Sequence, residues 1–291
     1  MARVLLLCVV ATVSMAEPLV VKGPKKTQIV FPLGAVSFAD EVVATKPGAR
    51  LDEKKGFLAE RALGVPDKES VTLGCGGSIT FRFVDNAVVD LPGGDLYVFE
   101  DGPKVEPTRL ELSVDGVTWV DVGRIEGGTR EVDLAGKVPD DEVFHFVRLT
   151  DLDDPKCGGR FPGADVDAVG AMGSAFQVQL STEVLFDTGK AELTGAGQDA
   201  LHEVVGKVKA AGKARLRVLG HTDSQGSGAF NAKLSEARAQ AVVTSLRTLE
   251  GLKDVAVDGK GYGEKRPVAS NSTVEGRQKN RRVDVLVIPL P

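Results

Sequence analysis

The chain has 291 residues, enough for two ordinary cores, and its 42% hydrophobic and 26% charged content is that of a globular protein rather than a disordered or fibrous one. Its formal charge of −5 is unevenly spread: from Ala175 onward there are 17 Lys+Arg against 13 Asp+Glu, or +4, which leaves 19 against 28, or −9, for the rest. A surplus of four is too small to argue for nucleic acid as a partner, and three histidines without a cluster (His145, His202, His221) exclude a spaced His/Cys zinc site.

At the N-terminus Arg3 precedes the apolar run Val4 to Val13, and Ser14-Met15-Ala16 then fits a small-x-small cleavage site before Glu17, so residues 1–16 read as a secretory signal peptide. The apolar run is well short of the roughly twenty residues of a spanning helix. Cys8 follows Leu7 rather than a small residue, which disfavours lipidation. Export leaves Cys75 and Cys157, an even pair that an oxidising compartment is expected to join as one disulfide.

Residues 17–27, with Pro18, Pro24 and several lysines, read as a linker. From Gln28 to Met172 short alternating segments are separated by turn residues, the pattern of strands; the clearest are Ser78 to Val84, Asp95 to Phe99, Arg109 to Val114, Trp119 to Val122 and Phe144 to Leu149. Asp115-Gly116 supplies a hairpin turn between the third and fourth. Strands at this spacing, with no helix between them, predict an all-β antiparallel sandwich, jelly-roll-like, over residues 28–172. Asp151, Asp153, Asp154, Asp165 and Asp167 crowd two turns, and hard carboxylate oxygens suit Ca²⁺; acidic loops that stay solvated answer the same pattern. No other cofactor is expected.

At Gly173-Ser174 the pattern changes. Val178, Leu180, Thr182, Val184 and Phe186 alternate as a strand, Leu201, Val204, Val205 and Val208 recur at helical spacing, and Leu216 and Val218 mark a second strand. A helix from about Asn231 to Leu249 and strands near Val255 to Lys260 and Val283 to Ile288 complete the order β-α-β-α-β-β, an α+β domain over 175–291 whose mixed sheet carries two helices on one face.

The second strand leads into Gly220-His221-Thr222-Asp223 and a small, flexible run through Ala229. Asn231 and Arg238, about two turns apart, project from the same side of the following helix. Taken singly, Asp223 reads equally as a turn cap and Arg238 as a helix-surface charge. His221 beside Asp223 and Ser224 is a poor triad, because a triad needs side chains converging from separate elements on an oxyanion site.

Five blocks in order resemble the OmpA-like family: Phe186-Asp187; Gly220 to Asp223; Asn231 with Leu234-Ser235 and Arg238-Ala239; Gly261 to Glu264 with Pro267; and Asn271 with Gly276-Arg277 and Asn280 to Val283. The resemblance implies a non-enzymatic, peptidoglycan-binding domain that holds the diaminopimelate of the stem peptide. It assigns the ligand's ammonium to Asp223 and its carboxylate to the planar fork of Arg238, with Asn231, Asn280, Arg281 and Thr222 orienting or shaping the loop. Gly189 departs from the family, whose members often carry Asn or Ser there. The implied location is the periplasm of a Gram-negative envelope, at the cell wall and outer membrane.

Short blocks such as Ala62 to Asp67, Leu73 to Ile79 and Gly163 to Ala168 resemble bacterial galactose-binding-like, discoidin-like domains. An envelope protein or a glycan is the expected partner of that half, with Trp119 and Tyr97 among the few aromatics for stacking. The rival to anchoring is an adhesion or carbohydrate-binding protein whose OmpA-like domain is only a tether.

Overall fold

The computed structural model describes residues 17–51, 57–102, 106–139, 142–152, 157–159 and 161–290. The signal-peptide expectation for 1–16, and Asp153 and Asp154 of the acidic group, lie outside the described residues.

The N-terminal part is β-rich. Five antiparallel strands stand in the order Glu41–Lys46, Ser78–Arg82, Phe146–Asp151, Thr108–Ser113 and Trp119–Ile125, and four in the order Arg130–Val132, Leu96–Glu100, Asp165–Ala171 and Val71–Thr72. Alternation decides the packing: Ile79, Phe81, Leu110, Leu112, Val147 and Leu149 of the first sheet share one buried cluster with Leu96, Val98, Val166 and Val169 of the second. The Asp115 turn forms as its residues dictate, the carboxylate accepting from the amides of Val117 and Thr118, both at 2.8 Å. Cys75 and Cys157 are joined by a disulfide.

Within the expected linker, Leu19–Lys22 is a strand that pairs with Gln28–Phe31. Its Leu19 and Val21 pack against a cluster built on Phe31, Phe38 and Phe99, apolar burial that outweighs the loop-like composition around Pro24.

The C-terminal part runs through strand Ser174–Ser181, helices Thr182–Leu185, Gly195–Ala200 and His202–Ala211, strand Ala214–His221, helix Gly228–Leu246, strand Ala256–Gly263, helix Val274–Asn280 and strand Arg282–Pro289. The four strands stand side by side in the order first, last, second, third, parallel only between Ala214–His221 and Ala256–Gly263. Leu201, Val204, Val208, Ala239, Val242 and Leu246 of the helices share a core with Val178, Leu216, Val218, Val283, Val285 and Val287 of the sheet.

Two local expectations are corrected. The first strand ends at Ser181, whose hydroxyl caps the next turn by accepting from the Glu183 amide, so Val184 is helical and Phe186 lies beyond the turn. A further short helix, Val274–Asn280, precedes the last strand; Thr273 caps it, accepting from the Gly276 amide at 3.0 Å, and its polar sequence carries no apolar stripe to reveal it.

The change of pattern at Gly173-Ser174 does not mark a spatial break. Asn86–Val89 pairs with Ser174–Phe176, and Val143–Phe144 pairs with Asn86–Val89, so two strands from the first half extend the C-terminal sheet to six. The face turned away from the helices buries Ala87, Val89, Val143, Ala175, Leu219, Leu286 and Ile288 in one cluster. By strand alternation Arg282, Asp284 and His221 belong to that same face. Arg282 Nε donates to Asp284 Oδ2 at 2.9 Å, and His221 Nε2 stands 3.4 Å from the same oxygen.

Candidate functional site

Three elements converge at the C-terminal end of strand Ala214–His221. Gly220 lets this strand approach the long helix, since a Cβ there would lie 2.3 Å from the Ser235 carbonyl oxygen. Beyond it the Thr222 amide donates to the Gly263 carbonyl at 2.9 Å, tying the loop to the neighbouring strand. Asp223 is buried at 7% exposure, its Oδ1 accepting from the Gln225 amide at 2.9 Å. The helix then starts at Ser227, whose hydroxyl accepts from the Phe230 amide.

Asn231 and Arg238 are both buried on that helix, at 2% and 6% exposure, unusual for such residues unless they are held by partners. The Asn231 amide donates to the Asp223 carbonyl at 3.3 Å and to Glu264 Oε2 at 2.6 Å, so it braces two loops. Arg238 Nε donates to the Lys190 carbonyl at 2.9 Å, and its guanidinium carbon lies 5.1 Å from the Phe186 ring centre. Burial, and then the neighbouring Arg281, push its pKa down, while Asp223 opposes them.

Arg281 closes the arrangement. Its Nη1 donates to Asp223 Oδ2 at 2.7 Å and its Nη2 to Glu183 Oε1 at 2.6 Å, two carboxylates that raise its pKa. Around these groups opens a cavity of about 620 Å³, walled by Phe186, Thr222, Asp223, Asn231, Arg238 and Arg281. It therefore presents a carboxylate and a guanidinium from different elements; Thr222 Oγ1, in its wall, is buried and finds no hydrogen-bond partner among the described residues.

Asn280 does not join them. It is fully buried, its Oδ1 accepting from the amides of Val268 and Ala269 and its Nδ2 donating to the Ala269 carbonyl and Asn271 Oδ1. Its role is to clip the loop after strand Ala256–Gly263, not to face the cavity, because its amide is fully engaged within the protein. Conversely Glu183, Gln225 and Phe230 line the cavity without having been singled out. Glu183 was legible in principle, since Ser181-Thr182-Glu183 is a helix-start signal that places an acid at the first turn. Gly189 also lines the cavity, at φ +71 with open space where a Cβ would be. That left-handed backbone is one that Gly adopts without strain.

The remaining candidates are held by other partners. Asp151 accepts from the amides of Gly76 and Ala164, Asp165 from the Thr72 hydroxyl, and Asp167 from the amides of Asp67 and Lys68. Among the described residues these three do not gather into a three-carboxylate group: Asp151 and Asp167 are drawn to different stretches of backbone and Asp165 to the Thr72 hydroxyl. His221 faces Asp284 rather than Ser224, and burial, followed by the charge of Arg282, lowers its pKa to about 4. Burial raises the Asp284 carboxyl, but Arg282 and His221 outweigh it and hold it well below the usual carboxylate range. Trp119, an aromatic available for glycan stacking, carries the Arg148 guanidinium 4.0 Å over its ring.

Comparison with known proteins covers the same region. Residues 185–281 match the OmpA family. The chain is 39% identical over 132 residues to "Outer membrane porin F" of Pseudomonas aeruginosa, covering 45% of this chain and 38% of that protein. It is 34% identical over 140 residues to "Probable lipoprotein YiaD" of Escherichia coli (48% and 63%), and 33% identical over 149 residues to "Peptidoglycan-binding protein ArfA" of Mycobacterium tuberculosis (51% and 44%). The chain thus spans less than two thirds of the length of each of these relatives. Among solved structures, the cell wall anchor of the T6SS from Pseudomonas aeruginosa aligns at 28% identity and a TM-score of 0.36, over 40% of this chain and 82% of that one. The five sequence blocks, the family match and these relatives coincide on one region, and the C-terminal part of this chain is an OmpA-like domain.

Proposed function

We propose that the C-terminal domain is a non-catalytic peptidoglycan anchor that holds the diaminopimelate of the stem peptide. The observation that carries this reading is the presence of Asp223 and Arg238, opposite charges from a loop and a helix, in the wall of one cavity. A carbon bearing both an ammonium and a carboxylate needs two such groups.

In this mechanism the ammonium takes the side of Asp223 that Arg281 now occupies, while Oδ1 keeps its bond to the Gln225 amide. Arg281 remains neutralised by Glu183, so the exchange leaves no cation unpaired. Arg238 Nε is held by the Lys190 carbonyl, which orients the fork and leaves its terminal amino groups for the ligand carboxylate. The mycobacterial relative is known as a peptidoglycan-binding protein, which supports the ligand, and the names of the other two, a porin and a lipoprotein, support an envelope location. With residues 1–16 read as a signal peptide, the mature protein works in the periplasm. The N-terminal half, read as a jelly-roll-like sandwich of discoidin type, is what the anchor carries.

Co-sedimentation with purified murein sacculi tests the proposal. Wild type should pellet, and Asp223→Ala and Arg238→Ala should stay in the supernatant. Free diaminopimelate should compete, and lysine-type murein should bind less well for want of the second carboxylate. Equal pelleting of all three proteins would overturn the mechanism.

A further inference from the structure

The loop from Glu264 to Asn271 braces the surroundings of the cavity at both of its ends. Glu264 accepts from the Asn231 amide at 2.6 Å, and Asn271 Oδ1 accepts from the amide of Ser224, the residue after Asp223, at 3.3 Å. Between those ends the loop is fixed from behind. Asn280 binds Val268 and Ala269, and the Arg266 carbonyl accepts from both terminal nitrogens of Arg282 at 3.3 Å.

The Arg266 side chain turns to the first half of the chain. Its guanidinium carbon lies 3.5 Å from the centre of the Tyr262 ring, and Nη2 donates to Glu142, next to strand Val143–Phe144. Both side chains are largely withdrawn from water, at 14% and 23% exposure, and Arg266 Nη1 is buried with no partner among the described residues. Glu142 is therefore the counter-charge that keeps this guanidinium in place. Removing one partner of such a pair leaves a buried charge uncompensated and favours movement of its backbone toward solvent.

We infer that Glu142 and Arg266 are positioning residues for the ligand cavity: the N-terminal half holds the loop that sets Asn231 and the Asp223 turn, so it tunes the domain's affinity for its ligand. The coupling runs through contiguous hydrogen bonds, from Glu142 to Arg266, along two residues of loop to Glu264, and on to Asn231 and the Asp223 carbonyl. A load or partner on the N-terminal half would thereby change the grip of an anchor it never touches. This inference rests on the ligand reading above.

The test uses the full chain with Glu142→Gln, Glu142→Asp and, as control, Glu111→Gln, which breaks the Arg148–Glu111 ion pair elsewhere on the same half. Titration calorimetry with free diaminopimelate should show binding weakened about three- to tenfold in Glu142→Gln, with Glu142→Asp closer to wild type and Glu111→Gln unchanged. Hydrogen exchange of the Ser224 and Gln225 amides should quicken in Glu142→Gln alone. Affinity within about twofold of wild type together with unchanged exchange overturns the inference, as does an equal loss in Glu111→Gln. If Glu142→Gln does not fold, Arg266→Gln, which removes the other charge of the same pair, carries the same comparison. Wild type that fails to bind diaminopimelate defeats the ligand reading, whereas the exchange measurement still judges the coupling.

Discussion

Asp223→Asn isolates the charge on which the proposed grip depends. Asn keeps the shape and can still accept from the Gln225 amide, so the turn retains the 2.9 Å bond that forms it. What disappears is the negative charge facing Arg281 Nη1 at 2.7 Å and, in the complex, the ligand ammonium. Asp223 is only 7% exposed, so the lost interaction belongs to the desolvated class, for which truncating one partner costs ~2–5 kcal/mol. At about 1.4 kcal/mol per tenfold change, the dissociation constant should rise by at least about thirtyfold. Folding should hardly notice: the Arg281 side chain is 31% exposed and keeps Glu183, so the lost pair is worth no more than about 1 kcal/mol of stability. Calorimetric titration with diaminopimelate, beside a thermal melt, separates the two effects. Affinity within about threefold of wild type, in a protein that melts normally, would refute the assignment of the ammonium to Asp223.

Four further outcomes are expected. Asp284→Asn leaves the buried Arg282 without its counter-charge and should destabilise the protein by about 3–5 kcal/mol in denaturant unfolding, whereas an effect below about 1 kcal/mol would show that the pair is dispensable. Replacing Cys75 and Cys157 by Ala opens a loop spanning 82 residues; the chain-entropy model puts the loss at about 4–5 kcal/mol, read from the same unfolding curves, and no measurable loss would contradict it. His221, buried with its pKa lowered to about 4, contributes stability that is present above its unfolded pKa of about 6.5 and is lost as pH falls toward 4. Unfolding of His221→Phe should therefore depend less on pH than wild type across that window, and parallel curves would count against it. Glu100 has the opposite sign: burial raises its pKa to about 7, so Glu100→Gln should gain on wild type as pH rises through 7, and a constant difference would be the negative result.

Much of this molecule could be read before any coordinates. The Asp115 turn, the Cys75–Cys157 bond and the helix carrying Asn231 and Arg238 follow from local chemistry: a carboxylate that caps its own turn, an even cysteine pair, and side chains two helical turns apart. The blocks from Gly220 to Asp223 and from Asn231 to Ala239 also meet at one cavity, because each lies on one short element whose geometry it largely determines.

Other features were decided only when distant segments met. Asn280 stands in the same basic block as Arg281, yet one is spent inside a loop and the other faces Asp223; a single-residue step at the end of a short helix separates them, and no periodicity records it. The acidic residues Asp151, Asp165 and Asp167 share composition, but each accepts from a different distant partner, backbone amides for Asp151 and Asp167 and the Thr72 hydroxyl for Asp165, which depends on tertiary placement. The same holds for the join between the halves. Local pattern changes at Gly173-Ser174, but strand pairing is a non-local choice between edges, and Asn86–Val89 lies nearly ninety residues before the strand it extends. Charge, periodicity and capping along the chain thus determined which elements form and which side chains are candidates for binding. Only the packed structure decided that the first half shares the anchor's sheet and, through Glu142, reaches the loop behind its cavity, because those contacts join residues that no local pattern links.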